Sequence, residues 1–290
     1  MSPTALALVL AAAVAHAAWN ILAHGVSRIG MPFLWWGALV STVLWLPIIP
    51  LTGGIGTNDL AGFALGIGVS GVLHVGYMLV LQRGYASGSL SLVYATARGT
   101  GPLISGLAAV VLLGERPGPL AIVGAAAIVA GVIAIGLVDR QPRPLPGTRR
   151  SVDPAIVFGL LTGVAIAVYT IWDANAIRSW GISPVAYMVG CTLVEVPLYT
   201  AALAKRLPEL PAVWRAHWPR LIAFAVLSPL SYILVLSAIT IAPVALVAPM
   251  REVSVVIVSL FGAFALKEGL AGWRIAASVV VVAGIILLAQ

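Results

Sequence analysis

Two arginines stand inside otherwise apolar runs, Arg98 in YATARGTGPL (Tyr94–Leu103) and Arg251 in VAPMREVSVV (Val247–Val256). A charged side chain at the centre of a lipid-embedded helix costs at least about 3 kcal/mol, so such residues face a bundle interior or a water-filled cavity. The guanidinium keeps its charge, and its planar fork of donors suits a carboxylate or a phosphate-like group. Arg98 is therefore a candidate for holding an anion. Tyr94 lies one turn before it and offers a hydroxyl. Pro102, one turn after, removes the hydrogen-bond partner of the Arg98 carbonyl and predicts a kink. The competing reading is a buried arginine paired permanently with an acid on another helix. Arg251 carries the same two readings, with Glu252 beside it and Glu195 inside another apolar run. Successive residues of a helix point about 100° apart, which predicts that Arg251 and Glu252 do not simply cancel.

Further polar residues occur in pairs one turn apart. His16 and Asn20 share a face, as do Tyr169 and Asp173, and His74 and Tyr77 fall together in a third run. Read functionally, these line a substrate cavity. Read structurally, the first two pairs sit in an interfacial belt with Trp19 and Trp172, and His74 is a hydrogen-bonded core histidine. Glu252 and Glu195 are the candidates for coupling to protons, with Glu252 favoured. A carboxylate withdrawn from water resists ionisation and a nearby arginine favours it, so a site that alternately exposes and buries the group switches its proton affinity. Glu115 and Glu268 stand where apolar runs end and read as loop or cap residues outside the site. There is no G-x-x-x-x-G-K-[ST] phosphate loop, no metal-ligand cluster, and no Ser/His/acid set that stands out, so no cofactor is expected.

The elements that position these residues follow from composition. Of 290 residues, 61% are hydrophobic and 9% charged, whereas about a quarter of a soluble domain is charged. The apolar runs are about 20 residues long without strand-like alternation, which predicts membrane-spanning helices. Breaks at Pro, Gly and charge give ten spans, near Pro3–Ala23, Met31–Leu51, Leu60–Leu81, Ser89–Leu113, Gly118–Val138, Pro154–Ile177, Ser183–Ala204, Trp218–Thr240, Pro243–Leu266 and Ala271–Ala289. Residues 139–153, DRQPRPLPGTRRSVD, read as a basic Pro-rich linker. The first run begins almost at Met1 with no basic n-region, which predicts a retained helix rather than a signal peptide. The single cysteine, Cys191, lies in an apolar run, so no intramolecular disulfide is expected.

The two halves, 1–138 and 154–290, repeat. Arg98 and Arg251 are 153 residues apart, as are Glu115 and Glu268, and the same offset carries His16, Trp19 and Asn20 onto Tyr169, Trp172 and Asp173. Five spans is an odd number, so the second half enters the membrane from the opposite face. This is an inverted repeat, with the substrate site expected near the midplane between the halves. Small-residue stripes at Gly62, Gly66 and Ser70, at Gly101, Ser105 and Ala109, and at Gly159 and Gly163 predict close helix contacts.

HAAWN near the start, LHVGY before the fourth span, and an arginine helix ending in LGER together resemble the drug/metabolite transporter superfamily, in its ten-helix form with two EamA-like halves. The resemblance covers nearly the whole chain. It implies an all-α integral membrane protein with ten transmembrane helices around a central cavity, and secondary transport rather than catalysis. The expected cargo is a small polar metabolite, anionic or zwitterionic, moved by alternating access, with protons as the candidate coupling ion. Partners are then the substrate and membrane lipid, with no nucleic acid, and the protein is a monomer or homodimer. The rival readings are a lipid flippase, in which Arg98 holds a head-group phosphate, and an intramembrane enzyme.

Orientation follows from charge. The loops on the side of both termini carry Arg116 and Arg178, whereas the opposite side carries twelve basic residues, including four linker arginines. Basic residues in short loops stay cytoplasmic, so the linker is expected on the cytoplasmic side of the cell inner (cytoplasmic) membrane and both termini outside. The resemblance points the other way, since many relatives are thought to have cytoplasmic termini.

Overall fold

The computed structural model describes residues 1–23, 26, 29–87, 90–138, 154–264 and 271–289. The linker 139–153, Lys267 and Glu268 therefore lie outside the described residues. The chain is all-α, with no strand among the described residues. Its helices are α1 (Pro3–Ala23), α2 (Met31–Trp45), α3 (Leu60–Ser87), α4 (Leu90–Leu112), α5 (Pro119–Val138), α6 (Pro154–Trp180), α7 (Pro184–Ala202), α8 (Leu210–Ile241), α9 (Val244–Arg251), α10 (Val253–Phe264) and α11 (Ala271–Ala289). The expected ninth span is thus two helices. Among the described residues, seven helical stretches are long and apolar enough to cross a membrane. Many large apolar side chains are exposed, such as Val43, Leu107, Val111 and Phe264. Water would penalise that surface and lipid would not.

Local sequence sets the helix ends. Proline opens α1, α5, α6 and α7, where its fixed φ suits the first helical position and its missing N–H costs nothing. Gly114 after α4 and Gly181 after α6 adopt left-handed φ values of 68° and 64°, a conformation that stops a helix at little cost only for glycine. Helices outrun some apolar runs: Arg83 lies inside α3 past the expected end at Leu81, and Arg215 inside α8 ahead of the expected start at Trp218. Arg220 and Arg274 lie inside α8 and α11, and Arg274 Nη1 donates to the Ser259 carbonyl at 3.4 Å. The charge count that orients the chain takes all four as loop residues. A helix continues as long as its backbone bonds are satisfied, and charge at its end does not stop it.

The chain packs as two compact units, each discontinuous in sequence. The first comprises Gly76–Val168 and Pro243–Gln290, together with Met1. In it α5 and α11 run antiparallel at backbone contact: a Cβ on Gly124 would lie 2.6 Å from the Gly284 carbonyl oxygen, and one on Gly131 would lie 3.0 Å from that of Ala277. The Gly159/Gly163 stripe of α6 meets α4, where a Cβ on Gly163 would overlap Thr100 Oγ1. Gly101 of α4 faces Ile166.

The second unit comprises Ser2–Val75 and Tyr169–Ala242. One core cluster joins Ala176, Ile177, Ile182, Tyr187, Cys191 and Leu236, with Phe63, Ile67, Trp180 and Tyr232 packed on it. A second joins Val26, Phe33, Leu221 and Phe224, with Trp19 and Trp36 against them. The Gly62/Gly66 stripe of α3 meets Trp180, and Gly66 also meets Tyr187. Arg178, in the last turn of α6, donates from Nε to the Ile239 carbonyl at 3.0 Å and from Nη2 to that of Ala242 at 2.8 Å. It thereby satisfies carbonyls that the end of α8 leaves open.

Candidate functional site

In the first unit, α4 and the α9–α10 break build a charged cluster. Arg98 Nη1 lies 3.3 Å from Glu252 Oε1 and 3.4 Å from Oε2. Arg251 reaches the same Oε1 from Nε at 3.4 Å and from Nη2 at 3.5 Å. All three side chains are buried, with exposures of 6% for Arg98, 5% for Arg251 and 1% for Glu252. Neither arginine faces lipid. Tyr94 packs its ring on Arg98, whose Cζ is 5.1 Å from the ring centroid, within the range of a cation–π contact.

The expected divergence of Arg251 and Glu252 fails, because it presupposes one continuous helix. α9 ends at Arg251 and α10 starts at Val253, leaving Glu252 between them. Pro249 has no N–H to give to the carbonyl four residues back, and the chain tightens: Glu252 N bonds to the Pro249 carbonyl at 3.0 Å and Val255 N to the Glu252 carbonyl at 2.9 Å. The break puts a cation at the negative end of α9 and an anion at the positive end of α10, both favourable. Pro102, by contrast, leaves α4 helical from Leu90 to Leu112.

Glu115 holds the other end of α9. Its Oε1 accepts from Val244 N and its Oε2 from Ala245 N, each at 2.8 Å. The N-cap of α9 is Pro243, which has no side-chain acceptor, so a glutamate from the α4–α5 turn performs the capping. Tyr77 lies half-buried on α3 in this unit.

In the second unit, α3, α6, α7 and α8 build a hydrogen-bonded cluster around Asp173, whose side chain is wholly buried. Tyr187 OH donates to Asp173 Oδ1 at 2.8 Å, and Tyr232 OH donates to Oδ2. His74 Nε2 lies 3.9 Å from Oδ2. The imidazole stacks on Tyr169 at 4.3 Å between centroids and meets Tyr232 edge-on at 5.5 Å. Its Nδ1 sits 2.9 Å from the Ser70 carbonyl and 3.1 Å from Ser70 Oγ. Glu195 is in electrostatic reach of both His74 and Asp173.

The structure thus brings Arg98, Tyr94, Arg251 and Glu252 together in one unit, and His74, Tyr169, Asp173 and Glu195 in the other. Glu195, a candidate partner for Arg251 in the sequence, interacts electrostatically with His74 and Asp173. His16 and Asn20 are held locally. Asn20 Nδ2 donates to the His16 carbonyl at 2.7 Å, and the His16 ring meets Trp19 edge-on at 4.9 Å, which in turn meets Phe224 at 5.3 Å. Trp172 donates to the Gly66 carbonyl at 3.1 Å, so it is a packing residue with a satisfied N–H. Tyr187 and Tyr232 went unnoticed in the sequence. Neither has a counterpart at the repeat offset, and an apolar run accommodates tyrosine without signalling a polar partner.

Residues 153–290 match the EamA-like transporter family. That family consists of membrane transporters of the drug/metabolite transporter superfamily rather than enzymes, and the matched segment carries Arg251, Glu252 and Asp173. No curated protein matches the sequence. Of 29 solved chains that match, one crystal structure, described only as that of a protein, covers 99% of this chain and 96% of its own, with a TM-score of 0.77 and 16% identity. At that identity the likeness concerns the fold alone. With its apolar helices and EamA-like half, the chain is an integral multi-pass membrane protein.

Proposed function

We propose that this protein is a secondary transporter, moving a small anionic or zwitterionic metabolite across the cytoplasmic membrane by alternating access. The observation that carries this reading is the buried Arg98–Glu252–Arg251 cluster. Charge-assisted N–H···O bonds run to about 2.7–2.9 Å when optimal, whereas the four contacts here span 3.3–3.5 Å. One carboxylate shared loosely by two forks is a counter-ion that a substrate carboxylate or phosphate-like group can replace. Once displaced, Glu252 is a buried carboxylate without its cations, and taking up a proton relieves that cost. Substrate binding and protonation then become linked. Tyr77, His16, Asn20, His74, Tyr169 and Asp173 remain proposed cavity residues, and Glu195 a second candidate for coupling.

The reading includes ten spans arranged as two inverted repeats, with the linker inside and both termini outside. The α5–α11 contact supports the repeat. The offset of 153 carries Gly124 onto Ala277 and Gly131 onto Gly284. The Gly124–Gly284 contact and the Gly131–Ala277 contact are therefore exchanged by the repeat operation, as a two-fold between antiparallel helices requires.

The test is uptake and counterflow in proteoliposomes over radiolabelled amino acids, organic acids, phosphonates and sugars, comparing the parent with Arg98→Lys and Arg98→Ala. The parent is expected to move at least one anionic or zwitterionic compound, Arg98→Lys about tenfold more slowly because it keeps the charge and loses the fork, and Arg98→Ala not measurably. Parental rates in both variants would remove Arg98 from the site. Scrambling of fluorescent lipid without solute uptake would replace the reading with a flippase.

A further inference from the structure

The histidine cluster of the second unit contains a specific place for one proton. A carbonyl oxygen can only accept, so with the Ser70 carbonyl 2.9 Å from His74 Nδ1, that nitrogen carries the ring hydrogen of the neutral imidazole. Nε2 is then the basic nitrogen. It faces Asp173 Oδ2 across 3.9 Å, too far for a direct hydrogen bond and near enough for strong attraction once protonated. Asp173 has committed both oxygens as acceptors, Oδ1 to Tyr187 OH and Oδ2 to Tyr232 OH. With both oxygens accepting, the aspartate faces Nε2 as the countercharge for a proton held there.

We propose that His74 Nε2, faced by Asp173, is a proton-binding site separate from Glu252, giving the protein a second position through which pH acts on it. The titratable and polar groups around it are Ser70 on α3, Tyr169 and Asp173 on α6, Tyr187, Cys191 and Glu195 on α7, and Tyr232 on α8. Its use in proton coupling rests on the transport reading; its existence does not. His74 side-chain exposure is 16% against 0% for Asp173. The step breaks no covalent bond: a solvent proton adds to the Nε2 lone pair, and the His74–Asp173 pair goes from net −1 to neutral.

The experiment is ¹⁵N spectroscopy of the full chain, labelled at histidine and held in phosphatidylcholine/phosphatidylglycerol nanodiscs, titrated from pH 4 to 9. The chain has four histidines, and His74→Gln assigns the signal. The expected spectrum at the alkaline end has a protonated Nδ1 and a bare Nε2, and Nε2 gains its proton in one step on acidification. Asp173→Asn removes the countercharge and should weaken proton binding by about tenfold or more. Tyr232→Phe should strengthen it, because Asp173 loses a donor that shares its charge. A purely structural cluster would not move in opposite directions.

An Nε2–H tautomer at high pH, a His74 signal unchanged across the range, or an Asp173→Asn step within twofold of the parent would each overturn the site. The first two need no variant at position 173. An intact titration in a protein that transports nothing sinks the transport reading and leaves the proton site standing; transport with no titration does the reverse.

Discussion

Each unit buries one carboxylate between two donors, and the choice of donors separates the two. Glu252 lies between two guanidiniums, which stay charged at every accessible pH and can only donate. Asp173 lies between two tyrosine hydroxyls, with an imidazole opposite. The first arrangement balances its carboxylate with permanent cations, so its state changes only when another anion competes. The second sets it opposite an imidazole, the group proposed above to bind a proton. The proposed anion site and the proposed proton site thus differ in the donors that hold their carboxylates.

The sharpest way to break this contrast is to remove a permanent cation. Taking one partner from a buried ion pair costs about 3–5 kcal/mol, so Arg98→Ala is expected to lower thermal stability in detergent strongly, beyond its effect on transport. A melting temperature within a degree of the parent would mean that the arginine exchanges its charge for water at no cost and is not truly buried.

Next in size is Glu252→Gln. As a mimic of the protonated acid, it should keep counterflow within about threefold while abolishing accumulation driven by a pH gradient, the size of effect expected when a proton-transfer group is lost. Joint loss of both, with poor folding, would reduce Glu252 to a structural counter-ion. Full pH-driven accumulation would remove it from coupling.

Asp173→Asn sharpens the comparison from the other side. Tyrosine hydroxyls accept as well as donate and can turn toward an amide, whereas a guanidinium cannot. Its stability cost is expected near 1–2 kcal/mol, a few-fold below that of Arg98→Ala. Equal costs, measured by the same melt, would erase the distinction between the clusters.

The smallest expected effect is that of Glu115→Ala, about 1 kcal/mol for a lost N-cap. Because α9 ends in Arg251, the loss should also weaken the apparent affinity for substrate more than the maximal rate, whereas Glu115→Gln, which keeps one acceptor oxygen, should recover part of it. Unchanged affinity in Glu115→Ala would show that α9 is positioned by packing alone.

Much of this was legible in the sequence, for reasons that differ by residue. Arg98, Arg251 and Glu252 announced themselves because charge in an apolar run must be compensated, and the helix bounds followed the prolines, to the residue for α1. Which acid compensates which base was not legible. Arg98 and Glu252 are 154 residues apart, and pairing across helices leaves no mark on either local pattern. Pro249 was the available signal for the α9–α10 break, and its meaning depended on whether the helix could route around it, as α4 does at Pro102. The tyrosines on Asp173 were invisible because hydroxyls at aromatic core positions look like core. The linker and Glu268 lie outside the described residues.

The α5–α11 contact fixes what drift can do to these two helices. At Gly163 the nearest obstacle to a side chain is the Thr100 hydroxyl, which a smaller residue at position 100 would remove, leaving contacts no closer than 3.0 Å. At Gly124 the obstacles are the Gly284 carbonyl oxygen and the Leu288 amide nitrogen, 2.6 and 2.7 Å away. These are main-chain atoms, and Gly284 has no side chain left to lose. No second-site suppressor at the partner can rescue Gly124→Ala, so an allele carrying it must shift a whole helix or be purged. If the halves arose by duplication, the copies were free to diverge over most of their length but stayed bound to each other along this seam.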